Sequence, residues 1–193
     1  MTLPLGSSHP RTPAYIYDCW RTTEPALIAG MAALQKGLAP GMTFSEFEDQ
    51  VKADAEHEAC FAMIAATEAW LMIDFERRRS GATNDTTMQG KFTALQSRAD
   101  GENRSLRIGE ICRAWQLQAS INDRGSIVTL LDDFLALIDF RNWIAHGRRD
   151  LGAVMPSLVE ILSVYTLSTE LPRVLRQWRL GFKQSLECRW PPA

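Results

Sequence analysis

The sequence has little of what usually marks a site. Its 193 residues include only three histidines and four cysteines, and Cys19, Cys60, Cys112 and Cys188 lie far apart with no C-x-x-C pair. That argues against a disulfide scaffold and against a zinc site, and leaves reduced thiols as the expectation. Long hydrophobic runs are missing. The most apolar stretch, Ala26–Leu34, contains Gly30 and falls far short of the ~20 residues that cross a bilayer. Residues Met1–Pro13 lack the basic start and apolar stretch of a secretory signal, so a cytoplasmic protein without a membrane partner is expected. No alternating run reads as a strand and no repeat of useful length occurs. Charge is nearly balanced, with a formal net of −2, so nothing global points to nucleic acid. No cofactor or metal motif is present, and none is expected.

What is there reads as helix. Hydrophobic residues make up 46% and charged residues 23%, which excludes general disorder and allows one substantial core. Residues 1–13, with three prolines, Gly6, Ser7 and Ser8, read as a flexible arm, and 14–193 as a single helical domain. A short helix is expected after Thr23, with Glu24 and Pro25 in its first turn. Thr43 and Glu46 then form a Thr-x-x-Glu capping box. Apolar residues follow at Phe47, Val51, Ala55, Ala59, Ala62, Met63, Ala66, Trp70 and Ile73, at the spacings of three and four that mark an amphipathic helix. Arg77-Arg78-Arg79 suits the negative end of that helix and Ser80-Gly81 stops it, giving one very long helix over about 44–79. The three arginines read as a solvated last turn, with an RNA-backbone contact as the alternative. Residues 80–90 read as loop, and 91–98 and 105–120 as helices. After a turn at Asn122–Gly125, Ser126 is expected to cap a deeply buried helix. A further helix opens near Pro156 and breaks or kinks at Pro172 before a basic piece, Arg173–Lys183. The architecture expected is all-α: an antiparallel bundle of five to seven helices with a C-terminal helical extension.

The most informative stretch closes the buried helix: Ile138-Asp139-Phe140-Arg141-Asn142-Trp143-Ile144-Ala145-His146-Gly147-Arg148. It places an arginine, an amide and a histidine where a core segment would stay apolar. Charge is distributed to match. Thr43–Arg79 holds nine acids and four bases, whereas Arg141 to the end holds eight bases and four acids, so a basic patch can form on a protein that is not basic.

An Arg followed directly by Asn, with Ala-His-Gly closing the motif five residues on, resembles the signature of the HEPN superfamily (higher eukaryotes and prokaryotes nucleotide-binding domains). The resemblance covers about residues 126–165, and the long helix is compatible in character. It implies an antiparallel helical bundle that dimerises around a composite cleft, and a metal-independent endoribonuclease acting as a toxin or antiviral defence effector. An antitoxin or defence-system protein would then be a partner. Arg141, Asn142 and His146 would be catalytic. Family members also carry a polar residue on an equivalent long helix, which Glu68 would match. Arg148, Arg149 and Trp143 are candidate substrate contacts. One feature departs from the pattern. In HEPN toxins regulated by a minimal nucleotidyltransferase, a Tyr stands two residues after the motif His; here Arg148 stands there, which would add a phosphate contact instead.

The residue types suit the reaction. Cleavage without a metal needs a base for the ribose 2′-OH, a cation for the phosphorane and an acid for the leaving 5′-oxygen. Histidine titrates near neutrality and serves either proton role. The arginine fork donates parallel hydrogen bonds to phosphate oxygens, and Asn142 both donates and accepts. Residues five apart on an ideal helix point roughly 140° apart, so Arg141 and His146 share a face only if the backbone changes course between them. One histidine per site does not readily serve as both base and acid, since His9 lies in the arm and His57, between Glu56 and Glu58, reads as a surface residue. A symmetric homodimer bringing two copies of the motif together would resolve this. Two other readings stay open. One is a non-catalytic HEPN-like module that binds RNA, nucleotide or a protein partner. The other is a structural bundle in which Arg141 and His146 merely complement a helix terminus.

Overall fold

Thr43 and Glu46 set the start of the longest helix. The Glu46 N–H donates to Thr43 Oγ1 at 3.3 Å, and the Thr43 N–H donates to the Glu46 carboxylate at 2.8 Å, so each side chain satisfies a backbone donor that the helix leaves orphaned. Gly81 ends it in the left-handed region at φ 76°. The Gly81 N–H bonds the Arg78 carbonyl at 3.1 Å and the Ala82 N–H bonds the Arg77 carbonyl at 3.0 Å, closing a Schellman motif.

The computed structural model describes residues 12–32, 42–122, 124–145 and 161–177. These form α1 (Pro13–Ala32), α2 (Phe44–Arg79), α3 (Thr86–Gly101), α4 (Ile108–Ile121), α5 (Gly125–Ala145) and α6 (Ile161–Gln177), with no strand among them. The fold is all-α. At about 1.5 Å per residue, the 36 residues of α2 span roughly 54 Å. This helix packs against each of the other five, while α4 lies on α5, α5 on α6 and α6 on α1. One hydrophobic cluster draws on all six, from Ile16 on α1 to Leu175 on α6. Among the described residues no helix is long and apolar enough to cross a membrane.

Several boundaries differ from expectation. The first helix begins at Pro13 rather than after Thr23. Thr12 Oγ1 accepts the Tyr15 N–H at 3.0 Å, and proline at the first helical position gives up an N–H that has no partner there anyway. Pro13 is buried and helical, so the expected arm of residues 1–13 ends before it; residues 1–11 lie outside the described residues. Pro25, expected in a first turn, lies inside α1. Helix α3 starts at Thr86 because Asp85 Oδ1 accepts the Met88 N–H at 3.0 Å and caps it, within what reads as loop. Ser126 is the second residue of α5 rather than its cap. Pro172 does not break α6, which continues to Gln177; the ring is buried, and Val164, Leu167, Leu171 and Leu175 seat this expected extension in the bundle. The proposed opening near Pro156 lies outside the described residues.

The buried stripe of α2 shares Ala59 and Met63 with the expected apolar one and departs from it toward the C-terminus. From Ala59 onward it buries Ala59, Cys60, Met63, Ile64, Thr67, Leu71, Phe75 and Arg78, whereas Ile73 is 55% exposed and Trp70 half-buried. Arg78 is the main correction. Expected in solvent, it is fully buried. Its Nε donates to Asp74 at 2.7 Å, its Nη1 to Asp85 at 2.8 Å and its Nη2 to the Leu175 carbonyl at 3.3 Å. The guanidinium also lies 4.6 Å over the Trp115 ring, which continues a chain of aromatic contacts through Phe92 to Phe75. A buried charge persists only when it is paired and hydrogen-bonded, and this one has both provisions from α2, α4, α6 and the cap of α3.

Candidate functional site

Arg141 and Glu68 meet between α5 and α2. Arg141 Nη2 donates to Glu68 Oε2 at 2.6 Å, and the two side chains are 24% and 26% exposed. The helical phase of each element brings them together. Leu137, Ile138 and Phe140 turn into the core just before Arg141, and Ile64, Thr67 and Leu71 do so around Glu68, so both polar side chains emerge at the edge of the same buried seam. The Arg141 fork is only partly satisfied. Its Nε is buried and has no hydrogen-bond partner among the described residues.

The pair borders an open cavity of about 520 Å³, within the roughly 300–1,000 Å³ range of small-ligand sites. Glu68, Asp139, Arg141 and Asn142 line one part of it; Arg107, Gly109, Glu110 and Arg113 of the α4 entrance line another. Glu110 is held firmly. Its carboxylate receives Arg104 Nη1 and Nη2 at 2.8 and 2.7 Å and the Arg107 N–H at 3.0 Å. The Arg104 fork, and after it the Arg107 N–H, bring the Glu110 carboxyl down to about 2. Beside the site, burial first and the Glu68 charge second push the Cys112 thiol up to about 12, which leaves it protonated and unreactive at neutral pH.

Three of the residues proposed from sequence are therefore neighbours: Glu68, Arg141 and Asn142. Trp143 stands in the described part of α5, but its side chain is outside the described residues. His146, Arg148 and Arg149 also lie outside the described residues. The backbone change of course between Arg141 and His146 does not occur before Ala145, since α5 is uninterrupted to that point. His57, read as a surface residue, is half-buried, its ring 5.8 Å from that of Phe140 in an edge-on contact. Among the tryptophans, Trp115 is core, and Trp70 lies half-buried beneath the Arg176 guanidinium at 5.2 Å. Sequence reasoning missed Arg107, Glu110 and Arg113. Their recurrence at every third position was the available signal, but it is also what a solvated helix face gives.

Among the described residues, no group of three His, Cys, Asp or Glu side chains is placed to hold a metal ion. No protein-family model matches this chain, and no curated protein or solved structure matches it.

Proposed function

We propose that the chain is a HEPN-like, metal-independent endoribonuclease that acts as a homodimer, with a toxin or antiviral defence role as the setting implied by the family resemblance. One observation carries the reading: the Arg-Asn of the Arg-Asn-x3-His motif lines an open cavity, with Arg141 held at its edge by Glu68. A phosphate oxygen entering there would meet Arg141 beside the Asn142 amide. In the proposed reaction the ribose 2′-oxygen attacks the adjacent phosphorus and loses its proton to a base. Negative charge on the phosphorane is met by Arg141. The 5′-oxygen departs with a proton from the acid, leaving a 2′,3′-cyclic phosphate and a 5′-hydroxyl. His146 supplies the proton chemistry, and the His146 of a second copy supplies the complementary role. Glu68 holds the Arg141 fork in register through its 2.6 Å hydrogen bond.

The test is cleavage of end-labelled single-stranded RNA in EDTA by the full chain and by His146→Ala, Arg141→Ala and Arg141→Lys. Loss of Arg141 is expected to remove about 3–4 kcal/mol of transition-state stabilisation, roughly 10²–10³ in rate. The lysine variant should recover little, because it lacks the planar fork. Cleavage that persists in both alanine variants would sink the assignment. A second reading, a module that binds RNA, nucleotide or a protein without turnover, is favoured by the Glu68–Arg141 ion pair, which already occupies one edge of the fork. Binding without cleavage, and without a cyclic phosphate product, would select it.

A further inference from the structure

The cavity holds more positive charge than the Arg-Asn-His segment accounts for. Arg107 immediately precedes α4 and Arg113 lies in its second turn; both line the cavity and both are exposed. Neither side chain is bonded to a carboxylate in an ion pair among the described residues, where Glu110 pairs with Arg104 and Glu68 with Arg141. The acids nearby are largely committed. Glu68 is engaged by Arg141 and Glu110 by both terminal guanidinium nitrogens of Arg104, which leaves Asp139 as the lining acid facing Arg107 and Arg113, with only a weaker charge interaction between Glu110 and Arg107. Cations at a helix N-terminus work against the helix dipole, so Arg104 and Arg107 at this end are locally unfavourable without an anion to answer them. Glu110 answers Arg104 with its side-chain hydrogen bonds, and gives Arg107 a bond to its backbone N–H and a weaker charge interaction. Gly109 adds no side chain to the cavity wall between them.

We propose that Arg107 and Arg113 are phosphate-contacting residues that bind two successive phosphates of single-stranded RNA, next to the phosphate held by Arg141. They are six residues apart, about 9 Å along the helix axis, too far for one phosphate and suited to two successive ones. Each presents a fork able to grip phosphate oxygens bidentately. The contacts are to backbone only, so they give affinity and register without sequence preference. The ligand follows from the ribonuclease reading, and the experiment separates the two claims.

Binding of a fluorescein-labelled, mixed-sequence single-stranded RNA is measured by anisotropy between 0.1 and 1 M salt, in the His146→Ala background to suppress turnover. Each lost phosphate contact lowers the salt slope by about 0.7, so Arg107→Ala/Arg113→Ala should lower it by roughly 1.4 and weaken binding about 25-fold at 0.1 M salt relative to 1 M. The loss should be equal for RNAs of different sequence, and Arg107→Lys/Arg113→Lys should recover most of it. In the His146-containing chain the same alanine pair should raise KM and leave kcat near its starting value. An unchanged Kd and slope, with circular dichroism showing an intact helical fold, overturns the inference while leaving the ribonuclease reading in place if the parent chain cleaves. A parent chain that binds RNA through these arginines but never cleaves overturns the ribonuclease reading alone. No binding by the parent overturns both.

Discussion

Arg141 Nη2 reaches Glu68 Oε2 at 2.6 Å across 73 residues of sequence, joining the motif-bearing helix to the long one. Both side chains keep about a quarter of their surface in solvent, so water screens the pair and its contribution to folding is small. A double-mutant cycle on Glu68→Ala and Arg141→Ala, measured by urea denaturation, should give a stability coupling of about 0.2–1 kcal/mol. Under the proposed function, RNA cleavage by Glu68→Ala should fall by much more than that energy implies, with Glu68→Gln retaining part through its neutral acceptor. A stability coupling above about 3 kcal/mol would mark the pair as structural.

Arg78 presents the opposite case. It is fully buried, with bonds to two carboxylates and a carbonyl. Replacing it with Met leaves Asp74 and Asp85 facing each other without their cation, and unfolding free energy should drop by about 3–5 kcal/mol. The combined Arg78→Met/Asp74→Asn variant should regain part of this, since one of the stranded charges is gone. Urea denaturation of the three proteins decides it; a loss below about 1 kcal/mol for Arg78→Met would contradict the network.

Glu110 gives the bundle a pH dependence of known sign. Its folded-state pKa is depressed to about 2 by the Arg104 fork and then the Arg107 N–H. A depressed carboxyl contributes stability that is fully present above its ordinary pKa, and that contribution is lost as pH falls through the ordinary value toward 2. The Tm of the parent chain should therefore exceed that of Glu110→Gln at pH 7, and the gap should close between about pH 4.5 and 2. A gap that stays constant to pH 2 would contradict the assignment of the shift.

The thiols should divide by burial. Cys60 and Cys112 are fully buried and pushed up to about 12, in both cases by burial first, whereas Cys19 is half-buried on α1. Iodoacetamide at pH 8, followed by peptide mass spectrometry, should alkylate Cys19 in the native chain and leave Cys60 and Cys112 unmodified until denaturant is added. Rapid native labelling of Cys112 would show that the core next to Glu68 opens far more readily than its packing implies.

Where the sequence carries explicit end signals, the fold was readable. Both ends of α2 followed from Thr43, Glu46 and Gly81, because capping chemistry is local and residue-specific. The beginning of α1 carried a signal of the same kind, Thr12-Pro13, but three prolines in thirteen residues obscured it. In sequence, Pro25 and Pro172 look like boundaries because a proline costs a helix one hydrogen bond; in this bundle both helices run through, and Pro172 is itself buried in the packing. Arg78 was misplaced because three consecutive arginines look alike in composition. Phase distinguishes them: Leu71, Phe75 and Arg78 fall at spacings of four and three, which puts the middle arginine on the buried stripe. The site was half legible. Arg141 and Asn142 were named from a local motif, but Arg107 and Arg113 come to the same cavity from another helix, and no periodicity within one helix reveals what another brings beside it.

Because α2 packs against each of the five other described helices, a cut at any connection between them leaves at least one piece without its own interior. A cut between α3 and α4 would leave α4, α5 and α6 without the helix they share, and leave α2 with its seam open to water. The two fragments should be largely unstructured alone and regain helicity only when mixed. Heritable change in this protein is correspondingly constrained: insertions belong in the connections, and neither half can be exchanged for another domain without replacing α2 as well.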